Sequence, residues 1–256
     1  MPIGQFREEW RVRSGISQLS VGGGVARQSY LQKIIAMFGT SLIGYWPGSE
    51  EAGTVAVDYS GNGYNGVYTG VTLGQEGVGD GNTCPLYDGA NDYMQPPAGF
   101  RTAFTPTAYS ILVHGKVNSA AIWTDGLQHN LFRFAVDANN NIRIIKTATN
   151  NQLSFASTHG GTASEVTFTT SAPVIFFHVA LTVDISADQL KAYFNGAQVG
   201  ITQTGLGTWS GTLAASTTVI GAATSTPTTP WNGYIAHVPV LSRAATASEM
   251  AQAATI

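Results

Sequence analysis

Between Leu42 and Leu241 the apolar residues come in short runs separated by clusters of Gly, Asn, Asp, Ser and Thr. That pattern predicts β-strands joined by tight turns, because strand side chains alternate between faces and the punctuating residues accept turn geometry. Val174–Asp184 (VIFFHVALTVD) gives the clearest alternation. Ile175, Phe177, Val179, Leu181 and Val183 fall on one face, and His178, Thr182 and Asp184 on the other. Gln189–Val199 predicts a hairpin turning at Asn195-Gly196, where both residues must take positive φ. The segment 137–141 (DANNN) joins the runs LFRFAV and IRIIK, and residues 208–222 and 232–241 supply the last strands.

Two stretches carry a helical period instead. In SYLQKIIAMF, Leu31, Ile34, Ile35 and Phe38 share a face and Gly39 is the stop. The closing ATASEMAQAAT predicts a short helix capped by Thr246 or Ser248. Residues 1–28 predict an arm. Phe6, Trp10 and Val12 are apolar anchors, and Gly22-Gly23-Gly24 is a break that no packed element favours. The chain therefore divides into residues 1–41, an arm and helix suited to docking or oligomerisation, and one β domain over 42–256.

With 256 residues, 30 of them Gly, and only 11 % charged, the chain suits many short strands and is unlike a disordered segment. The net charge of −3 is unevenly spread. Residues 1–40 hold five Lys/Arg against two Glu, a net of +3, so the remainder carries −6. No basic stripe dense enough for nucleic acid is present, and the basic arm predicts docking onto an acidic partner. Cys84 stands alone, which excludes an intrachain disulfide and a multi-cysteine metal site. The opening MPIGQFREEWRVRSG places charges where a signal peptide needs its apolar core, and Ile34–Tyr45 is too short and interrupted to span a bilayer. The expectation is a protein without membrane insertion and without an export signal.

Four segments resemble laminin-G-like domains in the expected order. They are Tyr45-Trp46-Pro47 followed by Asp58-x-Ser60-Gly61-Asn62-Gly63, Tyr87-Asp88-Gly89-x-x-Asp92-Tyr93, His178-Val179-Ala180 with Tyr193-x-Asn195-Gly196, and Trp231-x-Gly233-Tyr234-Ile235 leading to Leu241-Ser242-Arg243-Ala244. The resemblance implies an all-β, concanavalin A-like (laminin-G-like) jelly-roll β-sandwich over roughly 42–254, carrying an N-terminal arm and short helices. Many such domains have an acidic residue after the Gly-x-Ile of the last strand, beside a calcium site. Here Ala236 and His237 stand there, so no cofactor is expected from the resemblance. Asp58 and the Asn62 amide remain oxygen ligands of the type calcium takes. The same residues also make turns by bonding to backbone.

The stretch from YLQKIIAM to GVYTGVTLGQ is also similar to proteins of tailed bacteriophages and prophages that carry such domains. Those are typically tail, baseplate or head-decorating components. This similarity implies a virion protein docked through its arm to a capsid or tail scaffold, and a homo-oligomer, since closed symmetric assemblies suit such surfaces.

No catalytic residue is expected. Catalytic jelly rolls set carboxylates at i, i+2 and i+5 of one strand, and E-x-D-x-x-E is missing here. Glu50 and Glu51 are adjacent, Glu165 has no acidic partner two residues on, and Asp88 and Asp92 belong to the family's structural motif. Phosphate-loop, nucleophile-elbow and zinc-protease motifs are also missing, and the five histidines are scattered. Glycan binding is the alternative role. Sugars stack on exposed aromatic rings flanked by amides and carboxylates. Tyr59 and Tyr64 in the polar loop, and Trp123, Trp209 and Trp231 in turn-rich stretches, are the candidates.

Overall fold

The computed structural model describes residues 29–256. The expected arm lies outside the described residues, up to Gln28. Ser29 opens α1 (Tyr30–Phe38) with a capping box. Its Oγ accepts from the Gln32 amide at 3.3 Å while Gln32 Oε1 accepts from the Ser29 amide at 3.2 Å. Gly39, at φ 47, ends the helix as expected.

The chain continues through β1 (Leu42–Trp46), β2 (Val55–Ala56), β3 (Gly66–Thr69), β4 (Thr72–Glu76), β5 (Thr83–Asp88) and β6 (Tyr93–Gln95). A short α2 (Ala98–Ala103) precedes β7 (Ala108–Val117), β8 (His129–Ala135), β9 (Asn141–Lys146), β10 (Gln152–His159) and β11 (Thr162–Thr169). Then come β12 (Phe177–Asp184), β13 (Gln189–Phe194), β14 (Ala197–Gln203), β15 (Val219–Ile220), β16 (Asn232–Ala236), β17 (Val238–Leu241) and α3 (Ala247–Ala253). Asn195 (φ 47) and Gly196 (φ 81) make the expected hairpin turn between β13 and β14.

Two antiparallel sheets result. One runs β14-β13-β12-β7-β16-β5-β4, with β17 pairing both β1 and β7; the other runs β11-β10-β9-β8-β15-β6-β3-β2. Inner faces meet in one core. Val179, Leu181 and Val183 of β12 stand opposite Val113, Ile111 and Tyr109 of β7, and all six are fully buried. Phe132, Phe134, Ile142, Ile144, Leu153 and Phe155 face them from the second sheet. This is the sandwich arrangement of two apolar faces removed from water.

A third layer covers the outer face of the first sheet. Tyr30, Ile34 and Phe38 of α1 and Met250 and Ala253 of α3 pack with Leu112, Ala180 and Tyr193. Lys33 Nζ donates to the Gln252 and Thr255 carbonyls at 2.7 Å each, tying the two helices together. At the start of α3, Arg243 grips Glu249 through two bonds of 2.9 and 2.6 Å, and Thr246 is the cap. β12 is therefore buried on both faces, although its sequence alternates like a strand with one wet side.

Two boundaries differ from expectation. β12 starts at Phe177, leaving Val174 and Ile175 40 and 72 % exposed. Of residues 208–222 only Val219–Ile220 form a strand, and the rest is loop with a short 3-10 turn at Ala215–Thr217.

Candidate functional site

The aromatics singled out by sequence go to different places. Trp123 and Trp231 are fully buried, correcting the expectation of exposed rings. Both pack on Phe177, with ring centroids 5.8 and 6.5 Å away. Each indole N–H finds a carbonyl, Trp123 that of Pro173 at 2.9 Å and Trp231 that of Tyr234 at 3.3 Å. Turn-rich flanks do not fix which way a ring points, and the large apolar faces were drawn into the core. Tyr64 is half-buried. Its ring lies on α2 against Phe100 and so close to Gly99 that a Cβ there would stand 2.8 Å from Tyr64 Cε1. Trp209 is half-buried between His159 and Phe104, with Nε1 donating to the Gly211 carbonyl at 3.1 Å. Tyr59 is 39 % exposed.

The carboxylates are occupied by the fold. Asp58 accepts the amides of Tyr45 and Ser60 on one oxygen, and the Ser60 hydroxyl and the Tyr64 amide on the other, all at 2.8–2.9 Å. The Asn62 side chain donates to the Leu42 and Ile43 carbonyls. Both residues thus serve as turn-makers, holding the polar loop against β1. Asp92 accepts the Asp88 amide, Asp88 accepts the Ala90 amide, and Glu165 is bonded to Ser154. Among the described residues no group of three or more His, Cys, Asp or Glu is placed to hold a metal ion. Cys84 is buried and its thiol donates to the Glu76 carbonyl; burial pushes its pKa up to about 12, far from a reactive thiolate.

Three polar arrangements were not foreseen from sequence. Lys146 is fully buried, and its ammonium donates to Asp125 Oδ1 at 2.7 Å and to the Leu127 carbonyl at 2.9 Å. Asp125 Oδ2 bonds to His129 Nε2 at 2.7 Å, and His129 Nδ1 faces the Pro230 carbonyl at 2.6 Å. Burial alone would raise the Asp125 pKa, but the bonds from Lys146 and His129 hold it below the usual range. Beneath α1, His114 and His178 sit cross-strand with rings 5.0 Å apart, and Tyr30 meets His114 edge-on. His237 bridges Tyr45 (2.8 Å) and Asp80 (3.0 Å), and Asp80 is lowered to about 2 because bonds from His237 and Asn82 outweigh the opposing effect of burial.

The third arrangement is open to solvent. Lys116 of β7 pairs in register with Tyr234 of β16 on the outer face of the first sheet, beyond the helices. Its ammonium stands 4.7 Å over the Tyr234 ring and 5.5 Å over that of Phe176, and those rings meet edge-on at 6.2 Å. Val174, Ile175, Glu76 and the Gly77–Gly79 turn complete an open recess of about 360 Å³. A smaller hollow of about 270 Å³ lies on the same face, lined by Asp184, Lys191 and Gln198 next to Ala244–Ala247. Of these features, the Lys116 recess combines partly exposed rings, a cation and a carboxylate, the set that recognises a polar ligand with an apolar side. A periodicity argument offers no signal for it, since Lys116 and Tyr234 are brought together only by strand pairing.

A family model described as concanavalin A-like lectin/glucanases superfamily matches residues 88–251. No curated protein matches the chain in sequence. Among solved structures, domain 4 of AbnA, an extracellular GH43 arabinanase from Geobacillus stearothermophilus solved with arabinotriose, is similar at 18 % identity and TM-score 0.61. The match covers 84 % of this chain and 98 % of that domain. The receptor binding domain of botulinum neurotoxin D is similar at 14 % identity and TM-score 0.62, over 84 % of this chain and 52 % of that one. The Trypanosoma rangeli sialidase, in complex with the inhibitor DANA, is similar at 14 % identity and TM-score 0.57, over 83 % of this chain and 32 % of that one. At these identities the likeness is one of fold.

Proposed function

The chain belongs to the concanavalin A-like lectin/glucanases superfamily, and from that premise we propose that it is a non-enzymatic recognition protein, a lectin-like jelly roll that binds glycans. One observation carries the non-enzymatic reading. Of the thirteen Asp and Glu residues after position 41, all but Glu51 and Glu76 accept a side-chain hydrogen bond that holds a turn, a strand pair or a cation in place. Glycoside hydrolysis needs two carboxyl groups free to face one scissile bond, about 5–5.5 Å apart in retaining enzymes. A similar fold solved with arabinotriose bound supports the glycan-binding half.

The finer reading is display on a bacteriophage particle, head or tail. The virion-like opening stretch and the charge contrast between arm and body motivate it. Tyr30, Ile34 and Phe38 of α1 are buried against the chain's own sheet, and this reading assigns docking to a capsid or tail protein, and assembly with sister subunits, to the basic arm. The test is a broad glycan array probed with the full chain, alongside polysaccharide-hydrolysis assays. Saturable binding without turnover is expected. Silence across the array would remove the glycan reading, and turnover abolished by one carboxylate substitution would remove the non-enzymatic one. Antibody labelling of purified particles tests display, with unlabelled particles counting against it.

A further inference from the structure

Resting on the glycan-binding reading, we infer that the Lys116 recess is a subsite for an acidic sugar, a uronic-acid residue whose carboxylate pairs with the Lys116 ammonium. Lys116 makes no ion pair among the described residues. Its ammonium stands over the faces of two rings, which orient it without forming an ion pair. A cation held in place by two rings and engaged in no ion pair is placed to take a ligand carboxylate through a charge-assisted hydrogen bond.

The rest of the recess selects what the carboxylate is attached to. Ile175, 72 % exposed, and Val174 extend the apolar wall begun by Phe176, which Tyr234 backs edge-on, and this wall suits the C–H face of a pyranose. Glu76, exposed at the lip, accepts hydrogen bonds from ligand hydroxyl groups. A ligand therefore needs one acidic group, one apolar face and several hydroxyls, the description of a hexuronic acid. At about 360 Å³ the recess lies at the lower end of small-ligand sites, about 300–1,000 Å³, so it reads a terminal or short segment of a glycan.

The experiment is calorimetric titration of the full chain with galacturonate and glucuronate oligosaccharides and with their carboxyl-reduced, neutral counterparts. The acidic forms should bind at least tenfold tighter, and their affinity should fall as salt is raised from 50 to 500 mM, roughly as screening shortens. Lys116→Met should erase the preference, and Tyr234→Ala should weaken both forms. Melting curves of each variant guard against misfolding. Equal affinity for acidic and neutral forms, or a preference that survives Lys116→Met, overturns the subsite while leaving glycan binding intact. If neither form binds and the wider array is also silent, both readings fall.

Discussion

At the scale of single residues, the fold's most exacting demands are steric and electrostatic. Gly221 passes over the buried Tyr87 at φ 86, and a Cβ there would stand 2.3 Å from the ring carbons. Gly205 has a similar φ of 77 but open space around it. Backbone strain is common to both, and overpacking burdens only the first. Gly221→Ala should therefore cost about 3 kcal/mol or more and Gly205→Ala about 1 kcal/mol. Denaturant midpoints that matched for the two variants would show that Tyr87 yields freely. Lys146 makes a comparable electrostatic demand. Lys146→Met removes two charge-assisted bonds, each reaching a partner on the Asp125–Leu127 turn. A loss of about 2 kcal/mol is expected, the scale of a hydrogen bond to a charged group, and an unchanged urea midpoint would refute it.

At the scale of elements, much of the fold was legible. The Asn195-Gly196 turn, the two capped helices and the apolar stripe of β12 all follow from local chemistry, which the sequence carries directly. What escaped was anything decided by a partner distant in sequence. The polar-looking face of β12 lies under α1 and α3, Trp123 and Trp231 turn inward onto Phe177, and Lys116 acquires its aromatic neighbours through strand pairing. The burial of histidines under and between the sheets has a measurable consequence. Burial lowers His178 to about 3 and His159 to about 4. His114 is pushed well below its ordinary value by burial, with the charges of His178, His237 and Lys33 acting in the same direction. A base with a depressed folded pKa is protonated first in the unfolded chain, so stability is full above the free-histidine pKa of about 6.5 and falls as pH drops below it. The slope approaches about 1.4 kcal/mol per pH unit for each such histidine. Asp80 and Glu249, both held near 2, withdraw their contributions only below the free carboxylate range of about 4. Unfolding free energies measured between pH 7 and 4.5 should therefore decline steadily. A flat profile there would mean the histidines are accessible in the folded state.

At the scale of the whole molecule, α1 packs as part of the sandwich, although the sequence groups it with residues 1–41. Tyr30, Ile34 and Phe38 are buried against the first sheet, and the Tyr30 hydroxyl donates to the Ala253 carbonyl at 2.5 Å. Burial of side chains of this size contributes about 1.5–3 kcal/mol each, so α1 belongs to the cooperative unit. Deleting residues 1–40 should lower stability by roughly 4 kcal/mol or more, about 10 °C or more in melting temperature for a domain of this length. Deleting only residues 1–28 leaves the Ser29 cap and this whole interface in place, and should melt within a few degrees of the full chain. The difference matters for function because the shorter deletion removes Arg7, Arg11, Arg13 and Arg27 and keeps α1 and every strand. If the basic arm docks the protein to an acidic scaffold, the chain starting at Ser29 should keep its glycan affinity and lose association with particles. Full particle binding by that shorter chain would assign docking to the sandwich itself.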